Sequence, residues 1–248
     1  MSAWRLRRYA ILPSTSDLCV RLARGGEPEG LAVLAERQTA GRGSRGRTWE
    51  SPPGALCLSA LLRPCDFAAA AGHWALLAAL ALYGALMPHA AASSGALSLK
   101  WPNDVLIAGR KLGGVLLDAA SGASGRLDWL VIGFGANLAG APEGAGALGM
   151  AVPEPGQVAQ AVLEELDAWR RVRLLAGWAA IRAAWLAHAH PAGTPLRVRG
   201  AGGLDVGGAF DGLAEDGALL LRVAEGGGGA RVRAFPTGDV LLGNGGEG

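Results

Sequence analysis

The chain has 248 residues, half of them hydrophobic, a net charge of +2 and three cysteines. That length suits one large domain, or one domain with a small appendage, and the near-neutral balance excludes a polycation that wraps nucleic acid, so any positive field has to be local. Cys19, Cys57 and Cys65 are odd in number and lack CxxC spacing, which argues against a disulfide framework or a zinc site and fits a reducing cytosol.

The N-terminal apolar run is too short for a signal peptide. Residues 4–11 read as a strand leading into the polar turn PSTSD, whose serines and threonine are N-cap types for a helix over 18–24. LAVLAER is a second strand, and it ends at a stretch that packs three glycines and three arginines into residues 41–47. ALCLSALLR, residues 55–63, is mostly apolar and reads as a strand buried on both faces. Residues 67–87 are about as long as a bilayer span, but alanine dominates them, and alanine is the best helix former while only weakly hydrophobic. A buried core helix is therefore predicted, with a membrane span as the competing reading.

Residues 96–119 read as strand, Pro-containing turn, strand, a short turn at 108–110 and a return strand. LDWLVIGFGANL is another strand, running into glycines, and 139–156 is a long Gly/Pro-rich loop. Residues 157–190 are helical, with an apolar stripe through Val162, Leu166, Trp169 and Leu174. Beyond Pro191 the chain changes to short alternating strands with Gly/Asp turns, the pattern of a small antiparallel barrel, so a domain boundary is expected near residue 190, dividing 1–190 from 191–248. EGGGGA, residues 225–230, reads as a flexible hairpin tip.

Rare residue types point to chemistry. Lys100 and Lys111 are the only lysines among 23 basic side chains, and both fall in LKWPNDVLIAGRKLGG. A compact ammonium and a planar guanidinium are not interchangeable, so a chain that otherwise uses arginine retains lysine where a point charge must approach a phosphate or carboxylate oxygen. Pro102 fixes the turn between Lys100 and Asn103–Asp104; a plain turn with an Asx contact is the competing reading. Gly113 and Gly114 weaken a strand unless backbone or ligand must approach closely, which puts a candidate ligand surface beside Lys111. Gly133 and Gly135 lack the third glycine of a dinucleotide fingerprint. In the 41–47 stretch the arginines repel one another and the glycines are entropically costly to order, so a bound carboxylate or triphosphate would gather it into a lid. A solvated basic loop touching nucleic acid is the alternative. His73, His89, His188 and His190 read as structural or surface residues, and Cys57 as a small core hydrophobe.

RQTAGRGSRGRTWESPPGALCLS, followed by LKWPNDVLIAGRKLGGVLLD and LVIGFGANL, resembles the catalytic domain of the biotin protein ligases, and FDGLAEDGALLLR with TGDVLL is similar to that family's C-terminal domain. The resemblance implies an α+β fold, a mixed sheet with helices related to class II aminoacyl-tRNA synthetases, plus a small C-terminal SH3-like β-barrel. It implies a two-step ATP-dependent ligase: biotin's carboxylate attacks the α-phosphate of ATP, bound with Mg²⁺, to give biotinyl-5′-AMP and pyrophosphate. A lysine of a biotin carboxyl carrier protein then takes the biotinyl group.

By the family pattern Ser14, Thr15, Ser16, Gln38, Gly41, Arg42, Gly43, Ser44, Lys111 and Gly114 would line the biotin site. Arg47, Trp49, Lys100, Asn103, Asp104, Lys111 and Asn137 would bind ATP, with Lys111 and Arg42 catalytic and Asp104 orienting Mg²⁺. Ser16 stands where the family usually has asparagine, and Ser44 where its GRGRxGR has a second arginine. Either Arg45 swings in for that arginine, or biotinyl-AMP is released more readily. The resemblance implies no DNA-binding segment ahead of the ligase domain, a cytoplasmic protein with neither nucleic-acid nor membrane partners, and it is compatible with a homodimer. A lipoate ligase is the second enzyme reading, disfavoured by GRGSRGRTW.

Overall fold

A computed structural model of the chain describes residues 4–90, 96–149, 154–225 and 228–242. Its first layer is a seven-stranded sheet built from β1 (Arg5–Leu12), β2 (Leu31–Gln38), β3 (Leu56–Leu62), β4 (Leu97–Lys100), β5 (Asp104–Ile107), β6 (Arg110–Ser121) and β7 (Leu127–Ala136), in the order β1-β2-β3-β7-β6-β5-β4. The β1 and β2 strands run parallel, joined through helix α1 (Thr15–Arg24), and every other pairing is antiparallel. This is the mixed sheet expected. The first helix begins three residues earlier than predicted because Ser14 itself is the N-cap, accepting a hydrogen bond from the Asp17 N–H at 3.2 Å.

Period-two alternation divides the central strands between two cores. Leu56, Leu58, Ala60 and Leu62 of β3, with Leu130, Ile132 and Phe134 of β7, face helices α2 (Ala71–Ala90) and α3 (Pro155–Ala187). Leu61, Trp129 and Val131 face α1, against Cys19 and Ala23. Every residue of β3 is buried, so its unbroken apolar run is what a strand covered on both faces requires. Burial pushes the Cys19 thiol up to about 12, Arg7 pulling slightly the other way.

The alanine-rich segment is long and apolar enough to cross a bilayer. It is instead the central helix of the larger core: Trp74, Leu76, Leu77, Leu80, Leu82 and Leu86 are each at most 1 % exposed. Substituting Leu80→Ala is expected to cost about 2–5 kcal/mol, the usual range for a large-to-small change in a close-packed core. Urea denaturation reads this directly, and a loss below about 1 kcal/mol would mean that the helix is not packed as described.

In α3, Val162 and Leu166 are fully buried and Trp169 packs against them, but Leu174 is exposed, contrary to the predicted stripe. It lies five positions after Trp169, which turns it away from the apolar face. The face is continued by Arg173, whose guanidinium lies over the rings of Trp74 and Trp178 and pairs with Asp66.

The C-terminal part is a five-stranded antiparallel sheet of β8 (Pro195–Arg199), β9 (Asp205–Leu213), β10 (Leu219–Ala224), β11 (Ala230–Phe235) and β12 (Asp239–Leu242), ordered β11-β10-β9-β8-β12. The predicted 225–230 tip joins β10 to β11, and its residues 226–227 lie outside the described residues. The apolar side of this sheet, including Val198, Phe210 and Leu219, is continuous with the α2 core. The Trp101 indole N–H donates to the Gly217 carbonyl at 2.9 Å, so the turn carrying Lys100 and Asn103 is braced by the second sheet.

Candidate active site

Three adjoining cavities open where β2, β3, β6 and β7 end beneath the 41–47 loop. The first is lined by Thr15, Ser16, Gln38, Arg42, Gly43, Ser44, Trp49, Asn103, Lys111 and Gly114, with Gly133 and Gly135 also in its lining, and its empty volume, part of it open to solvent, is about 480 Å³. Ser14 and Gly41 do not line it. Ser14 caps α1, and Gly41 closes the loop base, where its carbonyl accepts from the Trp49 N–H at 2.9 Å. A Cβ on Gly41 would fall 2.4 Å from the Trp49 carbonyl oxygen, so this position requires glycine.

One wall of the first cavity is a buried polar chain inside an apolar sheet. The Thr15 backbone N–H and hydroxyl donate to Gln38 Oε1 at 2.8 and 3.1 Å, Ser59 Oγ donates to Thr15 Oγ1 at 2.8 Å, and Ser16 and Ser59 hydroxyls lie 3.1 Å apart. Each buried hydroxyl in this chain has a partner, so the wall is rigid and presents fixed donors and acceptors. Small residues make the room: a Cβ on Gly133 would meet Ser16 Oγ at 2.6 Å.

Arg42 is held by two carboxylates. Its guanidinium bridges Asp17 at 2.7 Å and Asp118 at 2.8 and 3.2 Å, and the Asp118 hydrogen bond, against partial desolvation, raises its basicity further. Neither aspartate was singled out from the sequence. Asp118 had a readable signal, because it follows Gly114 and Leu116 at period two and so shares their face of β6.

Lys111 reaches the site through an irregularity. The β5–β6 register shifts between Val105 and Leu106, so Val105 pairs with Gly113 but Leu106 with Lys111. Lys111 and Gly114 are an odd number of residues apart and would lie on opposite faces of a regular strand; the extra residue re-aims the lysine. A Cβ on Gly114 would sit 3.2 Å from Lys111 Nζ and 3.0 Å from Asp104 Oδ1. The two lysines converge on one carboxylate: Lys111 Nζ is 2.6 Å from Asp104 Oδ1, and Lys100 Nζ 3.1 Å from Oδ2. Asn103 is fixed by donating its side-chain amide to the Val115 carbonyl.

The second cavity holds Arg45, Arg47, Lys100, Asn103, Asp104 and Lys111, and is walled by the start of β12. Arg45 lines this cavity and not the first. Ser44 Oγ accepts from Arg47 at 2.8 Å. The third cavity is lined by Arg47, Trp49, Lys111 and Asn137 among others. Trp49 Nε1 and Asn137 Oδ1 are buried there without hydrogen-bond partners, while the Asn137 amide donates to the Gly146 carbonyl at 3.1 Å. Lys111 and Ser44 line all three cavities.

A resident metal does not fit this arrangement. Both Asp104 oxygens are taken by ammonium groups, and no group of three metal-ligating side chains occurs among the described residues. No histidine lines these three cavities; His73 stacks on Trp178 and His188 on Tyr83.

A model of the biotin/lipoate A/B protein ligase family matches residues 10–137. The chain is 39 % identical over 224 residues to the biotin–[acetyl-CoA-carboxylase] ligase of Paracoccus denitrificans, covering 85 % of this chain and 90 % of that protein. It is 35 % identical to the ligase of the same name from Mycobacterium tuberculosis, covering 97 % and 90 %. Among solved structures, the biotin protein ligase from Aquifex aeolicus in complex with biotin and ATP superimposes with a TM-score of 0.78 at 26 % identity, covering 96 % of this chain and 98 % of that one.

Proposed function

The chain belongs to the biotin/lipoate A/B protein ligase family and is a ligase, and from that premise we propose that it activates biotin as biotinyl-5′-AMP and transfers it to a lysine of a biotin carboxyl carrier protein. The observation that carries this reading is the place of Lys111, whose ammonium lies where the three cavities meet. Biotin would occupy the first, between the Thr15–Gln38 wall and Gly114. The phosphates would lie in the cationic second cavity, and adenine in the third, where Trp49 Nε1 and Asn137 Oδ1 await partners.

In that arrangement a biotin carboxylate oxygen attacks the α-phosphorus, the bond to the bridging oxygen breaks, and pyrophosphate leaves with its electron pair. Two anions meet and negative charge grows on the transferring phosphoryl group. Lys111 would face that point, and a preorganised cation stabilises such charge far better than solvent does. The acceptor lysine then attacks the biotinyl carbonyl and AMP departs. Asp104 is a positioning residue for both lysines, and any Mg²⁺ would be bound through the phosphates of ATP. The C-terminal sheet corresponds in this reading to the family's SH3-like domain.

The test is transfer of labelled biotin to a carrier domain, with ATP present or withheld, alongside ATP–pyrophosphate exchange driven by biotin or by lipoate. Label appearing on the carrier only with ATP, and exchange with biotin, is the expected result. Exchange supported by lipoate and not by biotin overturns it.

A further inference from the structure

We propose that Asp239 is an internal counter-anion that latches the 41–47 loop and gives up its two arginines to the phosphates of the nucleotide. Its carboxylate lies 2.5 Å from Arg45 and 3.0 Å from Arg47, residues almost two hundred positions earlier in the chain. Arg47 simultaneously donates to Ser44 Oγ, so one carboxylate gathers both sides of the loop tip. Arg45 is held at φ 58°, ψ 39°, a left-handed conformation that a side-chain-bearing residue adopts only when its surroundings over-determine it.

The anchor itself is fixed. Asp239 opens β12 in register with Arg199 of β8, and a Cβ on the preceding Gly238 would fall 2.5 Å from Val198. Burial works to raise the Asp239 carboxyl, but hydrogen bonds and charge from Arg45 and Arg47 outweigh it and hold it below the usual carboxylate range. The cavity these residues share sets Arg45, Arg47, Lys100 and Lys111 against Asp104 and Asp239. That surplus of positive charge suits a polyphosphate, which would offer each arginine more acceptor oxygens than one carboxylate can. Both ion pairs are well exposed, with side-chain exposures of 37–59 %, and such pairs are weak enough to exchange for a bound polyanion.

The latch rests on reading the loop as a phosphate-binding lid, and its first readout needs no catalysis. In the unliganded protein, Asp239→Asn should speed trypsin cleavage at Arg42, Arg45 and Arg47 about threefold, the population change that one or two exposed ion pairs produce. Inorganic tripolyphosphate should suppress that cleavage in both proteins. The variant should also lower the KM for ATP about threefold, since no internal anion then competes for the arginines. Asp211→Asn, which removes a carboxylate paired with Arg222 in the same sheet, should change neither quantity. Unchanged cleavage, a raised KM for ATP, or the same effects from Asp211→Asn each overturn the latch. A chain that fails to activate biotin yet shows faster cleavage and tripolyphosphate protection would leave the latch standing and overturn the assigned reaction.

Discussion

Lys111→Ala is expected to lower kcat for biotin-dependent pyrophosphate exchange by about 10²- to 10³-fold, the usual loss when one preorganised charge-stabilising group is removed from a transition state. The ammonium is 2.6 Å from Asp104 and 5.7 Å from the centre of the Trp49 ring, so its position is determined by contacts on two sides. Lys111→Arg should recover little of the loss. The planar guanidinium is larger than an ammonium, and the lysine already lies so close that a Cβ on Gly114 would fall 3.2 Å from its Nζ. Lys100 keeps one partner on Asp104 in either variant, so the carboxylate is not left as an unpaired charge. Melting temperatures close to the parent protein are therefore expected, which separates lost chemistry from lost folding. Exchange within a factor of about ten of the parent for Lys111→Ala would remove Lys111 from the reaction, because that is well short of the cost expected for such a group.

Gly135→Ala tests the proposed nucleotide side of the site. An added Cβ would fall 2.6 Å from Trp49 Cε2 and 3.0 Å from its Nε1, so the indole has to move. Gly135 does not use a left-handed backbone, and alanine is otherwise acceptable in β7. A displacement of about 1 Å in a positioning group costs on the order of 10–10² in rate, and the loss is expected in kcat/KM for ATP, with KM for biotin raised as well because Gly135 and Trp49 also line the first cavity. Gly140→Ala, with nothing within 4 Å of the new methyl group, serves as the matched control. An unchanged kcat/KM for ATP in Gly135→Ala would show that Trp49 does not bear on the nucleotide.

The unbroken apolar run of β3, the alanine helix and the hairpins around KWPND follow from local rules of composition and turn chemistry, and they were legible in the sequence. The pair of lysines and the stretch of glycine and arginine stood out because they are unusual in so apolar a chain, whereas Ser14, Thr15, Ser16, Gln38 and Trp49 were expected only from the resemblance to the biotin protein ligases. The stripe on α3 failed at Leu174 because a one-dimensional pattern could not show that Arg173, packed over Trp74 and Trp178, takes the inward place.

The arrangement of the site was decided only by tertiary structure. Sequence spacing assigns Lys111 and Gly114 to opposite faces of β6; the irregular pairing with β5 brings them together, and that shift depends on the partner strand. Asp17 and Asp118 meet on Arg42 because α1 and β6 converge beneath the loop, and Asp239 meets Arg45 and Arg47 because β12 reaches across from the second sheet. The sequence by itself determined which side chains could carry the chemistry, since charge, hydrogen-bonding capacity and backbone freedom belong to individual residues. Which carboxylate faces which cation depends on contacts between residues far apart in the chain, and only the packed sheets and helices set those distances.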